Sequence, residues 1–115
     1  MAGFADAPVR DSYDVIIIGC GIMGASVAWH LSADPGFRGR VLVVERDPSF
    51  ETASTTLTNS CLRQQFTSAI NIRISQFTVQ VVRDFPAYVG DENAPEIALK
   101  SFGYLYLADR AQAAA

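Results

Sequence analysis

The stretch from Tyr13 to Ala28, YDVIIIGCGIMGASVA, constrains the fold of this chain more than any other. Val15 to Ile18 is an unbroken run of β-branched residues, which favours a strand. Because the run is continuous rather than alternating, both faces of that strand are expected to be buried, as in a parallel sheet. Three glycines with the spacing G-x-G-x-x-G follow, and then a helical pattern. The sequence therefore predicts a strand, a tight turn and a helix in direct succession.

A second strand is predicted after that helix. The helix should run from about Gly21 to Ser32, and Asp34-Pro35-Gly36 should end it. The segment from Val41 to Glu45, VLVVE, predicts another buried strand. Strand, helix and strand at this spacing form a βαβ unit, whose crossover should be right-handed. The predicted fold class is α/β, with a Rossmann-type βαβ unit that belongs to a larger nucleotide-binding domain.

The glycine turn has the properties of a phosphate site. Gly19 lets the chain leave the strand, Gly21 lets a phosphate approach the main chain, and Gly24 lets the helix lie close to the strand. The N–H groups around Ile22 and Met23 then face an anion at the positive end of the helix dipole. The alternative is a chance glycine-rich turn in an α/β protein, and the strand before it and the helix after it disfavour that alternative.

Glu45, at the end of the second predicted strand, adds a ribose contact. A carboxylate there can accept hydrogen bonds from both ribose hydroxyls of an adenosine, and it would repel a 2′-phosphate. The alternative is a solvated surface glutamate, which the position at the end of a strand disfavours. Together the glycine turn and Glu45 predict a dinucleotide site that disfavours NADP, and they leave open which other dinucleotide binds.

A long polar connection and an amphipathic helix are predicted after Glu45. Residues 46–66 are rich in Ser, Thr and Asn, and connections this long in compact domains are usually functional. A helix is predicted from about Ser68 to Phe85, because apolar residues recur there every three or four positions. Pro86 should end this helix, and a polar loop over 86–96 should follow it.

The last part of the chain predicts one more strand and the start of a helix. Aromatic residues alternate over Ser101–Leu107, SFGYLYL, which predicts a strand. Asp109 is expected to cap a helix over residues 110–115. Two parallel strands cannot bury their flanks, so the chain is expected to be the N-terminal piece of a longer protein. The predicted organisation is a flexible tail, an incomplete nucleotide-binding domain and the start of a substrate-binding part, over residues 1–12, 13–100 and 101–115.

Composition excludes several classes of protein. The 115 residues suffice for one small domain, and with half of them hydrophobic the chain is globular. Its net charge of −3 and the lack of a basic run argue against a nucleic-acid partner. The two cysteines, Cys20 and Cys61, lie far apart and form no metal motif, so both are expected to be reduced thiols in the cytoplasm. Val15 to Ala33 has the length of a membrane span, but its glycines and the aspartates before it favour the strand, turn and helix, and no transmembrane segment is predicted.

Beyond the glycine turn, a more specific pattern points to a family. Its parts are Ala53-Ser54-Thr55-Thr56, Arg63-Gln64-Gln65-Phe66, Asn71-Ile72 and Phe102-Gly103-Tyr104-Leu105. With the glycine turn, this pattern resembles the FAD-dependent oxidoreductases of the D-amino-acid oxidase superfamily. That group includes glycine and sarcosine oxidases and dimethylglycine and sarcosine dehydrogenases. The resemblance extends from about Tyr13 to Asp109.

The resemblance implies a role for each matching residue. The pyrophosphate of FAD would lie on Gly19 to Gly24, Glu45 would hold the adenosine ribose, and Arg46 would flank the adenine. Ser54, Thr55 and Thr56 would lie along the phosphates and the ribityl chain. Arg63 matches an arginine that reaches the substrate carboxylate in the amine-oxidising members. The resemblance assigns no catalytic residue to this segment, and the spacing of the cysteines predicts no metal ligand.

Two positions depart from the pattern of the family. Relatives often carry two glycines just before the arginine, where this chain has Ser60-Cys61, and this difference should alter the backbone near the flavin. Dehydrogenases that attach FAD covalently use a histidine in this segment, and Leu57 stands in its place here. The resemblance therefore implies that FAD binds without a covalent bond in this segment.

Two functions follow as hypotheses. The first is the N-terminal FAD-binding part of an oxidoreductase that oxidises a C–N bond of an amino acid or an N-methyl amine by hydride transfer to the flavin. Its partners would be a small amine or amino-acid substrate and the remainder of its own longer chain. Without that remainder, the 115-residue piece should be inactive. The alternative is a NAD-binding Rossmann module with a regulatory role, which fits the glycine turn and Glu45 equally well.

Overall fold

A computed structural model of the chain describes residues 5–107. These residues divide after Ser60 into two compact units. The first unit contains a strand, a helix, a second strand and a single-turn helix, and the second unit contains two helices. In chain order the elements are β1 (Val15–Ile18), α1 (Ile22–Ala33), β2 (Val41–Val44), α2 (Ser54–Leu57), α3 (Ala69–Arg83) and α4 (Phe85–Val89).

The two strands of the first unit are parallel neighbours. Val15 pairs with Val41 at one end of the ladder, and Ile18 pairs with Val44 at the other end. Parallel strands need a crossover connection, and α1 is that crossover. Strand, helix and parallel strand confirm the α/β fold class and the Rossmann-type βαβ unit. The carboxyl ends of β1 and β2 therefore lie side by side, where the chain enters the glycine turn and reaches Glu45.

Hydrogen bonds at the amino ends of the strands set this register. The N–H groups of Asp14 and Val15 donate to the carbonyl oxygen of Arg40 at 3.0 and 3.1 Å. The Arg40 N–H donates in return to Oδ2 of Asp14 at 2.7 Å, and the Arg40 Nε lies 3.6 Å from the same oxygen. The backbone N–H of Arg40 is the main reason why the pKa of Asp14 lies below its ordinary value.

The expectation that both faces of β1 are buried is wrong for the residues that the structure describes. Ile16 and Ile18 are 59% and 90% exposed. No hydrophobic side chain in residues 5–107 is fully buried. The physical reason is that the sheet of the described unit has two strands, and the one crossover helix can cover only one of its faces.

The second unit contains two helices, where the sequence predicted one helix and a loop. α3 begins after Ser68, close to the predicted start, and ends at Arg83. α4 then covers Phe85–Val89, so the predicted loop over 86–96 is helical in its first part. Pro86 lies in the first turn of α4, where a residue without an N–H is tolerated. The rings of Phe77 and Tyr88 pack edge to face at 5.9 Å and join the two helices.

The strand predicted over Ser101–Leu107 does not form within the described residues, and this prediction is wrong for them. The alternation behind it still orders the aromatic rings, since Phe102 lies 5.8 Å from Tyr104 and Tyr104 lies 6.3 Å from Tyr106. A strand also needs a neighbouring strand to accept its hydrogen bonds, and residues 5–107 supply none here. The predicted cap at Asp109 and the helix over 110–115 lie outside the described residues. Among the described helices, none is long and apolar enough to cross a membrane.

Candidate functional site

The glycine turn joins the ends of both strands. Gly19 has φ of +95°, a left-handed conformation that only glycine adopts easily. Its N–H donates to the carbonyl oxygen of Val44 at 2.7 Å and so extends the ladder by one hydrogen bond. The chain therefore turns away from β1 immediately beside the end of β2.

Gly24 holds the first turn of α1 against this corner. A Cβ atom at position 24 would overlap the carbonyl oxygen of Gly19 and would lie 3.2 Å from Cγ2 of Ile17. The first of these neighbours is a backbone atom, which cannot rotate out of the way. The absence of a side chain at Gly24 is therefore a requirement of the observed helix position, as the spacing of the glycines predicted.

Glu45 reaches from the end of β2 to the glycine turn. Its Oε2 accepts a hydrogen bond from the Cys20 N–H at 2.6 Å, and its Oε1 accepts one from the Asp47 N–H at 3.0 Å. These donors, Asp47 first and Cys20 second, lower the pKa of Glu45 below its ordinary value. The half-buried carboxylate is consequently ionised at neutral pH, and it lies at the turn where the sequence placed a phosphate site.

Asp47 organises the loop that follows Glu45. Its Oδ1 accepts hydrogen bonds from the Ser49 N–H at 3.0 Å and from the Ser49 hydroxyl at 2.7 Å. The Ser49 hydroxyl is also the main reason why the pKa of Asp47 is lowered, and the positive charge of exposed Arg46 contributes in the same direction. Sequence reasoning missed Asp47, although an aspartate two residues before a serine is typical of this kind of turn.

Thr55 brings the distant Ser-Thr segment to the start of α1. Its Oγ1 accepts a hydrogen bond from the Ile22 N–H at 3.1 Å. The N-cap residue of α1 is Gly21, which has no side chain to make such a bond. Thr55 therefore satisfies one of the unpaired N–H groups of the helix from a position 33 residues later in the chain.

The predicted site residues thus fall into two groups. In the first unit, the turn, Glu45 and Thr55 are joined by hydrogen bonds, and Met23 lies in the first turn of α1. Ser54 and Thr56 flank Thr55 in α2, and their side chains form no hydrogen bond with the turn in the part of the chain that the structure describes. Arg63 belongs to the second unit, where its guanidinium carbon lies 4.6 Å from the centre of the Phe66 ring.

Comparison with known proteins identifies the family to which this site belongs. The sequence profile described as FAD dependent oxidoreductase, DAO, matches residues 14–115, which include the turn, Glu45, Thr55 and Arg63. The chain belongs to the DAO family of FAD-dependent oxidoreductases. FAD is therefore the cofactor of its family, and the NAD-binding alternative is disfavoured.

Relatives of this DAO-family chain are found in vertebrates and in an insect. The FAD-dependent oxidoreductase domain-containing protein 1 of Xenopus laevis is 41% identical over 99 residues, which are 83% of this chain and 20% of that protein. The protein of the same name from Bos taurus is 39% identical over 105 residues, 88% of this chain and 22% of that protein. A homolog from Drosophila melanogaster is 33% identical over 91 residues, 76% of this chain and 18% of that protein. This chain therefore spans about a fifth of the length of these relatives, and no solved structure matches it.

The residues at the turn suit the anionic dinucleotide of the DAO family. Gly19 has a positive φ, and Gly24 lies close to the strand, so the structure requires glycine at both positions. The backbone of the turn therefore carries no side chain at either position. The α1 N-terminus places backbone N–H groups and the positive end of its dipole beside Thr55. The Thr55 oxygen accepts from Ile22, and its own O–H remains a donor for a phosphate oxygen.

A variant of Thr55 tests whether its hydroxyl supports this turn. Thr55→Val in the full chain is expected to lower the free energy of unfolding by about 1 kcal/mol, because the Ile22 N–H loses its acceptor. Thr55→Ser keeps the oxygen and should restore most of this loss, whereas Thr67→Val, at an exposed threonine of the second unit, should have no effect. Urea unfolding measures all three variants, and equal stability of Thr55→Val and the parent chain would contradict the role.

Proposed function

We propose that this chain binds the adenosine-diphosphate half of FAD in a larger oxidoreductase. The observation that carries the proposal is the convergence of an ionised carboxylate, Glu45, and a hydroxyl, Thr55, on one glycine turn. A phosphate needs backbone donors and a helix N-terminus, and a ribose needs a carboxylate at the end of the next strand. Both are present within the first compact unit.

Different residues around the turn would bind different parts of the cofactor. The phosphates would lie on the segment Gly19–Gly24 and receive N–H groups from the start of α1, with Ser54, Thr55 and Thr56 as hydroxyl donors. Glu45 would accept from the ribose hydroxyls with lone pairs not used by Cys20 and Asp47, since a carboxylate offers about four acceptor positions. Arg46 is exposed next to Glu45 and would flank the adenine.

The reaction class follows from the family. FAD, when bound, supplies a two-electron oxidation, and the substrate we propose is an amino acid or an N-methyl amine whose C–N bond is oxidised. Arg63 would bind the substrate carboxylate through its planar guanidinium.

The proposal also includes a location and a domain organisation. Because neither Cys20 nor Cys61 is in a disulfide, we place the protein in the reducing cytoplasm. The nucleotide-binding part would cover residues 13–100, and residues 101–115 would begin the substrate part.

The direct test is the colour of the purified full chain. We expect flavin absorption bands in the visible range and release of intact FAD on denaturation with acid, since no covalent linkage is proposed in this segment. Chromatography of the released compound distinguishes FAD from other flavins. A colourless protein whose thermal unfolding midpoint rises with NAD would contradict the proposal and favour a regulatory nucleotide module.

A further inference from the structure

The second compact unit contains a small cavity that the glycine turn does not explain. Its volume is about 280 Å³, and its wall combines the segment around Arg63, the end of α3 and the segment from Leu99 to Tyr104. Ligand sites for drug-sized molecules are about 300–1,000 Å³. The cavity therefore suits a molecule of metabolite size rather than a macromolecule.

Among the residues that the structure describes, three positive charges and no negative charge line this cavity. The cations are Arg63, Arg83 and Lys100, and the remaining lining residues are uncharged. None of the three is in an ion pair within the described residues. The chain as a whole carries a net charge of −3, so the charge of this cavity is opposite in sign to the net charge of the chain.

The acidic residues that the structure describes in the same unit line a different cavity. Asp84, Asp91, Glu92 and Glu96 line a neighbouring space of about 760 Å³, and Arg83 is the one cation there. Within residues 61–107, these carboxylates thus form no ion pair with Arg63 or Lys100. Unpaired cations in one concave wall repel each other and raise the local concentration of anions.

Aromatic side chains support the cationic wall. The ring of Phe66 lies under the Arg63 guanidinium at 4.6 Å, which holds the planar fork by a cation–π contact and leaves its N–H groups for a ligand. Tyr104 also lines the cavity. Desolvation and the nearby Cys61 raise the pKa of Tyr104, while the charge of Arg63 acts in the opposite direction. Its hydroxyl is therefore protonated at neutral pH and can donate a hydrogen bond.

We infer that this cavity binds a small acid that carries two negative charges, either two carboxylates or one phosphate group. The inference deepens the proposed function and rests on it, because it assigns two negative charges to the substrate where the proposed function assigns one carboxylate, bound by Arg63. A ligand with one carboxylate would neutralise one of the three cations and leave two positive charges unneutralised. A dianion between Arg63, Lys100 and Arg83 would remove most of the repulsion between these cations. Electrostatic attraction of this kind weakens as salt is added.

The test is calorimetric titration of the full chain with three probes, which are glutarate, butyrate and inorganic phosphate. Glutarate should bind at least tenfold more tightly than butyrate, because each charge-assisted contact contributes about a factor of ten. Phosphate separates the two possible dianions, since a phosphate-binding cavity would prefer it to glutarate. The affinity for the preferred dianion should fall on raising the salt concentration from about 0.05 to 0.5 M.

Lys100 supplies the decisive variant, since Arg83 is also the last residue of α3 and complements the helix dipole there. Lys100→Gln should weaken binding of the preferred dianion about tenfold, and Lys100→Glu should weaken it further. Arg83→Gln should act in the same direction as Lys100→Gln. The matched control is Arg73→Gln, because Arg73 is exposed on α3 and does not line the cavity, and it should leave the affinity unchanged.

Two readouts separate this inference from the proposed function. Flavin content reports the proposed function, and the ratio of dianion to butyrate affinity reports the inference. A yellow protein that binds butyrate as tightly as either dianion would overturn the inference alone. A loss of affinity in Arg73→Gln equal to that in Lys100→Gln would overturn it as well, because the effect would then reflect net charge rather than this cavity.

Discussion

A single methyl group at position 24 is expected to abolish flavin binding by the full chain. In Gly24→Ala the new Cβ would overlap the carbonyl oxygen of Gly19, so α1 must move away from β1 or the turn must open. Overpacking of this kind costs typically 1–3 kcal/mol, and we expect about 3 kcal/mol because the obstructing atom belongs to the backbone. The displaced turn would also misplace the N–H groups proposed to receive the phosphates. Visible absorbance of the purified variant and its unfolding in urea measure both effects.

Gly36→Ala is the matched control for this variant. A Cβ at position 36 would meet only the side chain of Asp34, at 3.2 Å from Oδ1, and no backbone atom. The same substitution should therefore leave flavin content unchanged and alter stability by less than about 1 kcal/mol. Normal flavin content in Gly24→Ala would show that the close approach of α1 to Gly19 is not needed for the cofactor.

Replacement of Glu45 by arginine should have a comparable effect on the cofactor with less effect on the fold. Glu45→Arg removes the acceptor for the Cys20 and Asp47 N–H groups and places a cation where we propose ribose hydroxyls. We expect less than about a tenth of the parent flavin content, since more than one contact of the turn is lost. Glu45→Gln keeps the shape but only one acceptor oxygen, and it should retain an intermediate amount of flavin.

The ionisation of Glu45 adds a dependence on pH. Its pKa in the folded chain is lowered from the ordinary value of 4.5. A group with a lowered folded-state pKa contributes stability above its unfolded value and loses that contribution as the pH falls through the folded value. Flavin content of the parent chain should therefore fall below about pH 4.5, and Glu45→Gln should lose part of this acid dependence.

Glu51→Gln is the control for Glu45→Gln. Glu51 is exposed in the loop after Glu45, and its loss changes net charge by the same amount as Glu45→Gln. Its flavin content and its acid dependence should match those of the parent chain. Equal flavin content in the parent chain and in Glu45→Arg would remove Glu45 from the site.

The part of the fold that sequence could predict is the part with strong local patterns. Val15–Ile18, the glycines and Val41–Val44 each carry a signal within a few residues, and β1, α1 and β2 form within one residue of the predicted bounds. Pro86 misled the prediction because proline both ends helices and begins them. The segment 101–107 has the alternation of a strand, but a strand forms only when a partner accepts its hydrogen bonds, and alternation does not reveal a partner.

In the candidate site, too, the sequence predicted single residues, but it did not predict the contacts between residues that are far apart in the chain. The position of Glu45 after a strand predicted a carboxylate near the turn, yet it could not show that Cys20 would donate to it, because the bond depends on the register of β1 with β2. The family pattern pointed to Thr55, but only the structure shows which N–H it accepts. Asp47 was missed although its turn with Ser49 is local in sequence, whereas the cavity around Lys100 was missed because its lining residues are close in space without forming a motif.

The hydrogen bond between position 20 and Glu45 has a consequence for sequence variation. The donor is the main-chain N–H, so the hydrogen bond does not depend on which side chain stands at position 20. Nineteen of the twenty amino acids carry that N–H, and proline alone lacks it. The middle of a G-x-G turn held in this way can therefore accept many residue types during evolution or mutagenesis. Substitution by proline is the one change at this position that removes the bond itself.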